Sequence, residues 1–306
     1  MSNQQQKIGF VGLGIMGKPM SKNLLKAGYH LIVNDIDPGP VKELVGLGAE
    51  SVNSSKMVAE KSDIIITMLP DGPQVEQVVL GQDGVLAGLK KGSIVIDMSS
   101  ISPIIARRIT AEVEKRGGEM LDAPVSGGEP GAIQGTLAIM VGGEESVFNE
   151  CLPLFKAMGR SITLVGGPGA GQIAKLANQI VVAINIAAVS EALVFAMKAG
   201  VNPETLVQAI KGGLAGSAVL EAKAPMMMDR NFKPGFRIRL HQKDLRNTLS
   251  TAAEYGVPLP LTSLVQQMIN GLVGEGKGDL DHSAIALFVE NMSKTEIKRK
   301  SGQGGG

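Results

Sequence analysis

The sequence has a single cysteine, Cys151, so it contains no internal disulfide framework, and it suits a reducing compartment. Its three histidines stand at positions 30, 241 and 282, too scattered for a zinc-binding pattern. The first residues, Met1–Lys7, lack the apolar stretch of a signal peptide, so export is not expected. These absences predict a cytoplasmic protein without a metal site.

The chain also has no excess of charge and few aromatic residues. Thirty Lys and Arg against 29 Asp and Glu leave a net charge of +1, which disfavours nucleic acid and anionic membranes as partners. Aromatic residues make up 3% of the chain, and tryptophan is absent. Glycine is abundant, with 40 of 306 residues, roughly twice its usual share. Because 44% of the residues are hydrophobic, the glycines indicate close backbone approaches in a folded protein rather than disorder.

Short runs of Ile, Val and Leu alternate with amphipathic segments over residues 1–165. Runs that are apolar throughout are typical of parallel strands covered by helices on both faces, which predicts a doubly wound α/β domain. The predicted strands are Ile8–Val11, Leu31–Asn34, Ile64–Leu69, Ile94–Asp97, Met120–Asp122, Leu137–Val141 and Ile162–Val165. The predicted helices include Met16–Ala27, Gln74–Val79 and Pro103–Lys115, the last capped by Ser102.

The pattern becomes helical after Gly166, which predicts an all-helical domain at 166–300 and a flexible tail at 301–306. Gly169–Ala199 predicts one long apolar helix. Polar residues interrupt its stretch Leu176–Met197, so a buried helix is favoured over a membrane span. Such a helix also suggests a homo-oligomer, a dimer or a tetramer. Further helices are expected at Pro203–Lys211, Leu240–Tyr255, Leu261–Val273 and His282–Val289.

A glycine-rich motif follows the first predicted strand and opens the first predicted helix. Its glycines, at 12, 14 and 17, form the pattern G-x-G-x-x-G, with Leu13, Ile15 and Met16 between them. In a dinucleotide-binding loop Gly12 permits the tight turn, Gly14 admits a pyrophosphate and Gly17 lets the helix pack on the strand. The pyrophosphate would lie at the positive end of the helix dipole. The alternative is an ordinary strand-to-helix turn.

Asp35 follows the second predicted strand, where a ribose-binding carboxylate belongs in such a fold. Its carboxylate would accept hydrogen bonds from the ribose hydroxyls, and its negative charge would repel a 2′-phosphate. NAD is therefore expected as cofactor, and NADP is less favoured. The preceding Asn34 and the lack of nearby arginines agree with this interpretation. The alternative is a solvated aspartate in a turn.

The segment Asp122-Ala123-Pro124-Val125-Ser126-Gly127-Gly128 predicts an anion-binding loop. The Ser126 hydroxyl and the unobstructed N–H groups of Gly127 and Gly128 suit a carboxylate or a phosphate. A glycine-rich turn without a ligand is the alternative. Ser126 lacks the surroundings of a nucleophile elbow, so hydrolase chemistry is disfavoured.

The long helix carries Gly171, Lys175 and Asn178 on one face, since they are spaced by four and three residues. An apolar helix does not usually bury a lysine and an asparagine without a polar partner, so we expect this face to line a ligand cleft. A snorkelling surface lysine is the alternative. Further along, Arg237, Arg239, Lys243 and Arg246 predict either a second anchor for an anion or a solvated basic face.

These motifs, F-V-G-L-G-x-M-G, D-A-P-V-S-G-G, G-x-x-x-K-x-x-N and K-D-L in this order, resemble those of the β-hydroxyacid dehydrogenase family. The resemblance implies a Rossmann-type N-terminal domain, a long interdomain helix and an all-α C-terminal domain. It makes Lys175 the catalytic residue and assigns substrate contacts to Ser126, Gly127, Gly128, Asn178 and Lys243. It assigns nicotinamide-side contacts to Met68, Leu69, Pro70, Ser99, Ser100 and, again, Lys243. Family members often carry threonine at the position of Ser100.

The resemblance also predicts the reaction. Asp122–Pro130, Lys211–Leu220 and Ala222–Phe236 are most similar to the family members that reduce tartronate semialdehyde to D-glycerate with NADH. The partner is then a small hydroxy- or semialdehyde-carboxylate. Another semialdehyde acid, or 3-hydroxyisobutyrate, is the alternative substrate. A dinucleotide-binding module without catalysis is the alternative from another functional class.

Overall fold

The structure of the protein is a computed structural model that describes residues 6–299. The chain divides between Leu176 and Ala177 into two compact units. This division falls inside the long helix, whereas the domain boundary predicted after residue 165 lies near the end of the last strand. The predicted tail, 301–306, lies outside the described residues.

The described part of the first unit contains one sheet of nine strands. They are β1 (Lys7–Val11), β2 (His30–Asn34), β3 (Glu50–Ser51), β4 (Ile64–Thr67), β5 (Ile94–Asp97), β6 (Glu119–Asp122), β7 (Val125–Ser126), β8 (Leu137–Gly142) and β9 (Gly159–Gly166). Strands β3-β2-β1-β4-β5-β6 are all parallel, in that spatial order. This is the doubly wound order, in which dinucleotides bind at the carboxyl ends of the strands around β1 and β4. The predicted fold class is confirmed.

The far end of the sheet reverses direction. Both β6 and β7 pair antiparallel with β8, and β9 pairs parallel with the other edge of β8. The chain therefore leaves the sheet after Asp122 of β6 and returns to it at Val125, where β7 begins. Both β6 and β7 pair with the same strand, β8. The strands β3 and β7 were not predicted, because two residues are too few to carry a hydrophobic pattern.

Helices cover both faces of this sheet. They are α1 (Gly17–Lys26), α2 (Pro38–Val45), α3 (Ser55–Lys61), α4 (Gly72–Leu80), α5 (Val85–Gly88), α6 (Pro103–Lys115), α7 (Gly128–Gln134) and α8 (Glu145–Met158). Side chains alternate between the two faces of each strand, so Ile64 and Ile66 belong to one buried cluster with α1 and α8. Ile65 belongs to a second cluster with α3, α4 and α6. Burial on both faces explains the continuous apolar runs.

The second unit is helical. Its elements are the main part of α9 (Ala170–Lys198), then α10 (Pro203–Ile210), α11 (Ala218–Met228), α12 (Ile238–Glu254), α13 (Pro260–Gly274), a 3₁₀ turn (His282–Ala284) and α14 (Ile285–Ser293). One hydrophobic core joins these elements. By length and hydropathy alone α9 could cross a membrane. Because Ala183, Ile186 and Leu193 of this helix lie in the core, we assign it as a core helix.

Candidate active site

Two glycines make the turn between β1 and α1 possible. Gly12 has a φ of +94°, and a Cβ added there would lie 2.3 Å from the carbonyl oxygen of Met68. A Cβ added at Gly17 would lie 1.9 Å from the carbonyl oxygen of Gly12. Neither position admits a side chain, because backbone atoms cannot move aside as a flexible side chain can. The loop thus has the backbone contacts that the motif predicts.

The start of α1 fits a pyrophosphate. A Cβ added at Gly14 would meet open space, and within the described chain no side chain caps the helix N-terminus or places an acid in its first turn. The positive end of the helix dipole therefore faces an accessible backbone. Leu13 is 1% exposed, and Met16 is half-buried and packs on the core, whereas Gly14 is exposed. Ile15 is exposed.

Asp35 joins the second strand to this loop. Its carboxylate accepts hydrogen bonds from the N–H of Leu13 at 2.5 Å and from the N–H of Asp37 at 2.7 Å. A cavity of about 630 Å³, lined in part by Gly14 and Asp35, opens here. The neighbouring Asn34 points elsewhere, since its side-chain amide donates to the carbonyl of Val52 at 2.8 Å. The two predicted cofactor residues thus make different contacts, Asp35 with the glycine loop and Asn34 with the residue that follows β3.

The loops after β4 and β5 are tied to one another. The N–H of Leu69 donates to the Ser99 hydroxyl at 2.9 Å, and the N–H of Ser99 donates to Asp97 at 3.2 Å. Asp97 also accepts from the hydroxyl of Thr67 at 2.8 Å. The segments Met68–Pro70 and Ser99–Ser100, both predicted to contact the nicotinamide, therefore lie side by side at the carboxyl end of the sheet.

The predicted anion-binding segment is partly regular structure rather than a loop. Ser126 ends β7, Gly127 has a φ of +130°, and Gly128 begins the short helix α7. Ser126 and Gly128 are half-buried, and Gly127 is exposed. The hydroxyl and the two N–H groups are thus held between a strand and a helix, with their surface still accessible.

The first turns of α9 are fastened to the end of β6. The Asp122 carboxylate accepts hydrogen bonds from the N–H of Gly169 at 2.7 Å and of Gln172 at 2.8 Å. A Cβ added at Gly171 would lie 2.5 Å from the carbonyl oxygen of Asp122, so this helix start touches the strand directly. Lys175, 5% exposed, lies one turn further along. The candidate catalytic lysine therefore sits on a helix start anchored to the strand that precedes Ser126.

Burial raises the pKa of the Asp122 carboxyl from 3.8 to about 7. Desolvation is the main cause, and the charge of Asp97 adds to it, while the hydrogen bonds from Gln172 and Gly169 act in the opposite direction. The carboxyl group that anchors α9 therefore titrates near neutral pH.

In the second unit, buried groups connect Asn178 with Lys243. The Asn178 amide donates to the side-chain oxygen of Gln179 at 2.9 Å, and the Gln179 amide donates to Asp244 at 2.6 Å. The ammonium of Lys243 lies 3.0 Å from the other oxygen of Asp244. Gln179 and Asp244 are 4% and 2% exposed. Two predicted substrate contacts are thus oriented by two residues that the motifs do not assign.

The basic segment of the second unit is largely paired with acids. Arg237 and Arg239 lie 3.5 Å and 2.6 Å from the carboxylate oxygens of Asp279, and both arginines are exposed. These contacts support the interpretation of a solvated face at this end of α12. Among residues 6–299, no three His, Cys, Asp or Glu side chains are grouped so that they could hold a metal ion.

The sequence motifs assign no role to Asp122, Gln172, Gln179 or Asp244. Asp122 and Asp244 stand inside the motifs D-A-P-V-S-G-G and K-D-L, and the presence of two amide side chains on an otherwise apolar helix is the sequence signal for Gln172 and Gln179.

Two sequence families match the chain almost end to end. Residues 7–167 match the NAD binding domain of 6-phosphogluconate dehydrogenase, and residues 169–289 match the family described as NAD-binding of NADP-dependent 3-hydroxyisobutyrate dehydrogenase. The chain therefore contains NAD-binding domains.

Full-length relatives match as well. The chain is 51% identical over 292 residues to 2-hydroxy-3-oxopropionate reductase of Escherichia coli, covering 95% of this chain and 99% of that protein. It is 40% identical to 2-(hydroxymethyl)glutarate dehydrogenase of Eubacterium barkeri, covering 95% and 97%. A solved structure of Mycobacterium tuberculosis 3-hydroxyisobutyrate dehydrogenase with L-serine superposes with a TM-score of 0.87 at 35% identity, covering 93% and 99%.

Proposed function

Since the chain belongs to the β-hydroxyacid dehydrogenase family, we propose that it reduces 2-hydroxy-3-oxopropionate, or tartronate semialdehyde, to D-glycerate with NADH. The observation that carries this proposal is the identity of half the chain, over nearly its whole length, with the E. coli reductase of that substrate. The NAD-dependent dehydrogenase chemistry follows from the family, and the substrate and the residue roles are our proposal.

The substrate carboxylate binds at Ser126, Gly127 and Gly128 in this proposal. An accessible hydroxyl and two backbone N–H groups without side chains in front of them suit a planar anion. Because the segment is held between β7 and α7, little conformational entropy is lost when the carboxylate binds. Because its carboxylate is anchored in this way, the substrate presents its carbonyl carbon at a fixed position in the site.

Lys175 is the general acid of the reduction. NADH, when bound, supplies the hydride to the carbonyl carbon. Negative charge develops on the carbonyl oxygen, and the Lys175 ammonium stabilises it and donates a proton to it. In the reverse direction the neutral amine accepts that proton. Burial of Lys175 supports the role, since it keeps the group away from bulk water.

Asn178 binds the substrate hydroxyl in this scheme, and Lys243 contributes positive charge at the substrate and the nicotinamide. The network through Gln179 and Asp244 supports these roles, because it fixes the rotamers of both side chains. An amide suits a hydroxyl because it orients the group without adding charge.

NADH is the proposed cofactor rather than NADPH. The Asp35 carboxylate would repel a 2′-phosphate. Two lysines of the same cavity, Lys18 and Lys22, are paired with Glu43, which reduces their attraction for such a phosphate.

The test is a spectrophotometric assay of NADH oxidation with four candidate substrates at equal concentration. They are tartronate semialdehyde, methylmalonate semialdehyde, succinic semialdehyde and glyoxylate. We expect the highest kcat/KM with the first, and NADH to be used better than NADPH. A preference for methylmalonate semialdehyde would instead make the chain a 3-hydroxyisobutyrate dehydrogenase, as the similarity to the mycobacterial structure would allow. Absence of turnover with all four would contradict the proposed substrate class.

We further propose that the enzyme works in the cytoplasm as a homo-oligomer. Val181 and Phe195 of α9 are 60% and 76% exposed, which leaves apolar surface for a second subunit to cover. Light scattering coupled to size exclusion measures the mass directly, and a mass near 31.9 kDa would contradict the oligomer.

A further inference from the structure

Gln172 is fully buried, and its side chain makes two hydrogen bonds inside the first unit. Its side-chain oxygen accepts from the N–H of Ile101 at 3.0 Å, and its side-chain amide donates to the carbonyl of Ser99 at 2.7 Å. Its backbone N–H donates to Asp122 at 2.8 Å. The amide group therefore satisfies a donor and an acceptor of the same loop, on either side of Ser100.

This pair of bonds fixes the loop more strictly than a single bond would. One hydrogen bond allows rotation about its axis, whereas two bonds from one planar amide set both distance and orientation. The Ser99 hydroxyl in turn accepts a hydrogen bond from the N–H of Leu69, so the constraint extends to the loop after β4. Both segments with predicted nicotinamide contacts are thus connected to the side chain of Gln172.

Lys175 follows Gln172 by three residues on the same helix, a rise of about 4.5 Å. Nearly one turn of regular helix separates them, so a shift of the helix start moves both. The backbone bonds of Gly169 and Gln172 to Asp122 do not involve the Gln172 side chain. A substitution at this position therefore leaves α9 anchored to β6 and removes only its connection to the Ser99–Ile101 loop.

We propose that Gln172 is a positioning residue, whose side-chain amide holds the loop of Ser99 and Ser100 in register with the helix that carries Lys175. The inference rests on the proposed function, in which Lys175 protonates the substrate beside the nicotinamide. Reduction requires the hydride donor and the proton donor to meet one carbonyl group, so their relative position limits the rate. Loss of the amide pair acts on kcat rather than on substrate binding at Ser126.

The experiment compares Gln172→Met and Gln172→Glu with the wild type. Methionine has a similar length and shape but neither bond. Glutamate keeps the acceptor for Ile101, and only its protonated form can also donate to the Ser99 carbonyl. Thr110→Val is the matched control, because it removes a buried hydroxyl that donates at 2.9 Å to Ala106 within α6.

For Gln172→Met we expect kcat to fall by about 30- to 100-fold, the size of effect that a misplacement of ~1 Å produces, with KM changed less than about threefold. For Gln172→Glu we expect the ratio of its kcat to that of the wild type to rise at least fivefold from pH 8 to pH 6, as the carboxyl protonates. Hydrogen exchange of the cofactor-free protein should be faster in the 99–101 peptide of Gln172→Met. Thr110→Val should leave both measurements unchanged.

Unchanged exchange in the 99–101 peptide of Gln172→Met would overturn the inference, and so would a kcat within twofold of the wild type. An equal fall in kcat for Thr110→Val would also overturn it, because the effect would then reflect general destabilisation. The proposed substrate is tested separately by the wild type alone. If another substrate of the panel is turned over instead, the same ratios are measured with it, and the exchange measurement requires no substrate.

Discussion

The buried carboxyl group of Asp122, which ends β6 and binds the start of α9, should make the stability of the protein depend on pH. Asp122 is 1% exposed, and burial raises its pKa from 3.8 to about 7. We predict that Asp122→Asn abolishes a loss of stability that the wild type shows between these two pH values.

The sign follows from proton binding. In the unfolded chain the pKa of Asp122 returns to 3.8, so between 3.8 and about 7 the folded protein holds a proton that the unfolded chain has released. The stabilisation is therefore fully present below pH 3.8 and is lost as the pH rises through about 7. With these two pKa values, linkage gives a decrease of about 3 kcal/mol in the free energy of unfolding between pH 5 and pH 8.

The Asp122→Asn variant distinguishes the effect of this titration on stability from the effect of losing a hydrogen bond. Its single oxygen can accept from either Gly169 or Gln172, and its NH₂ group then faces the other N–H. Leaving that N–H without an acceptor costs about 1–3 kcal/mol, and this cost does not vary with pH. The stability of the wild type relative to Asp122→Asn should therefore decrease by about 3 kcal/mol from pH 5 to pH 8.

Urea unfolding followed by circular dichroism at pH 5, 6, 7 and 8 measures this difference, from the shift in midpoint and the common slope. Asp83→Asn, at an exposed carboxylate, is the control for the substitution itself. A difference between the wild type and Asp122→Asn that stays constant within about 0.5 kcal/mol over this range would refute the argument from desolvation.

Four further substitutions test the candidate site. Lys175→Ala should lower kcat by about 10²- to 10⁴-fold and leave the Kd for NADH, measured by fluorescence titration, nearly unchanged; retained turnover would exclude it as the proton donor. Ser126→Ala should raise the KM for the semialdehyde acid roughly ten- to hundredfold through loss of a charge-assisted hydrogen bond, and an unchanged KM would exclude the carboxylate contact. Gly17→Ala should lower the free energy of unfolding by about 1–3 kcal/mol, because its Cβ would lie 1.9 Å from the Gly12 carbonyl oxygen; an unchanged urea midpoint would contradict that contact. Asp35→Asn should raise the kcat/KM for NADPH relative to NADH about tenfold, and a constant ratio would mean that Asp35 does not determine cofactor choice.

Local sequence signals predicted much of this fold. The cap at Ser102 followed by Pro103 predicted the start of α6, and the Ser102 hydroxyl accepts a hydrogen bond from the N–H of Ile104 at 3.3 Å. Short apolar runs predicted seven of the strands, and several of these runs, such as those of β4 and β5, are nearly continuous because both faces of the strand are covered. Helices α8 and α11 were not predicted, and each contains an internal proline, Pro153 and Pro225, which a local reading takes as a helix end.

Contacts between distant residues had no comparable signal. The bond from Gln172 to Ser99 spans 73 residues, and the bond from Gly169 to Asp122 spans 47. No spacing rule relates such positions, because the sheet topology rather than the local chain brings them together. The sequence could therefore nominate Lys175 from its helix face and Ser126 from its motif, whereas the groups that hold their segments required the folded structure.

Engineering of cofactor preference in this protein meets a constraint at the second strand. The carboxylate that would be exchanged, Asp35, is also the acceptor for the N–H of Leu13. A designer who removes its charge to admit a phosphorylated ribose also releases the backbone of the glycine turn. The replacement at position 35 therefore has to retain a hydrogen-bond acceptor within reach of that N–H, which favours asparagine or serine over the arginine that charge complementarity alone would suggest.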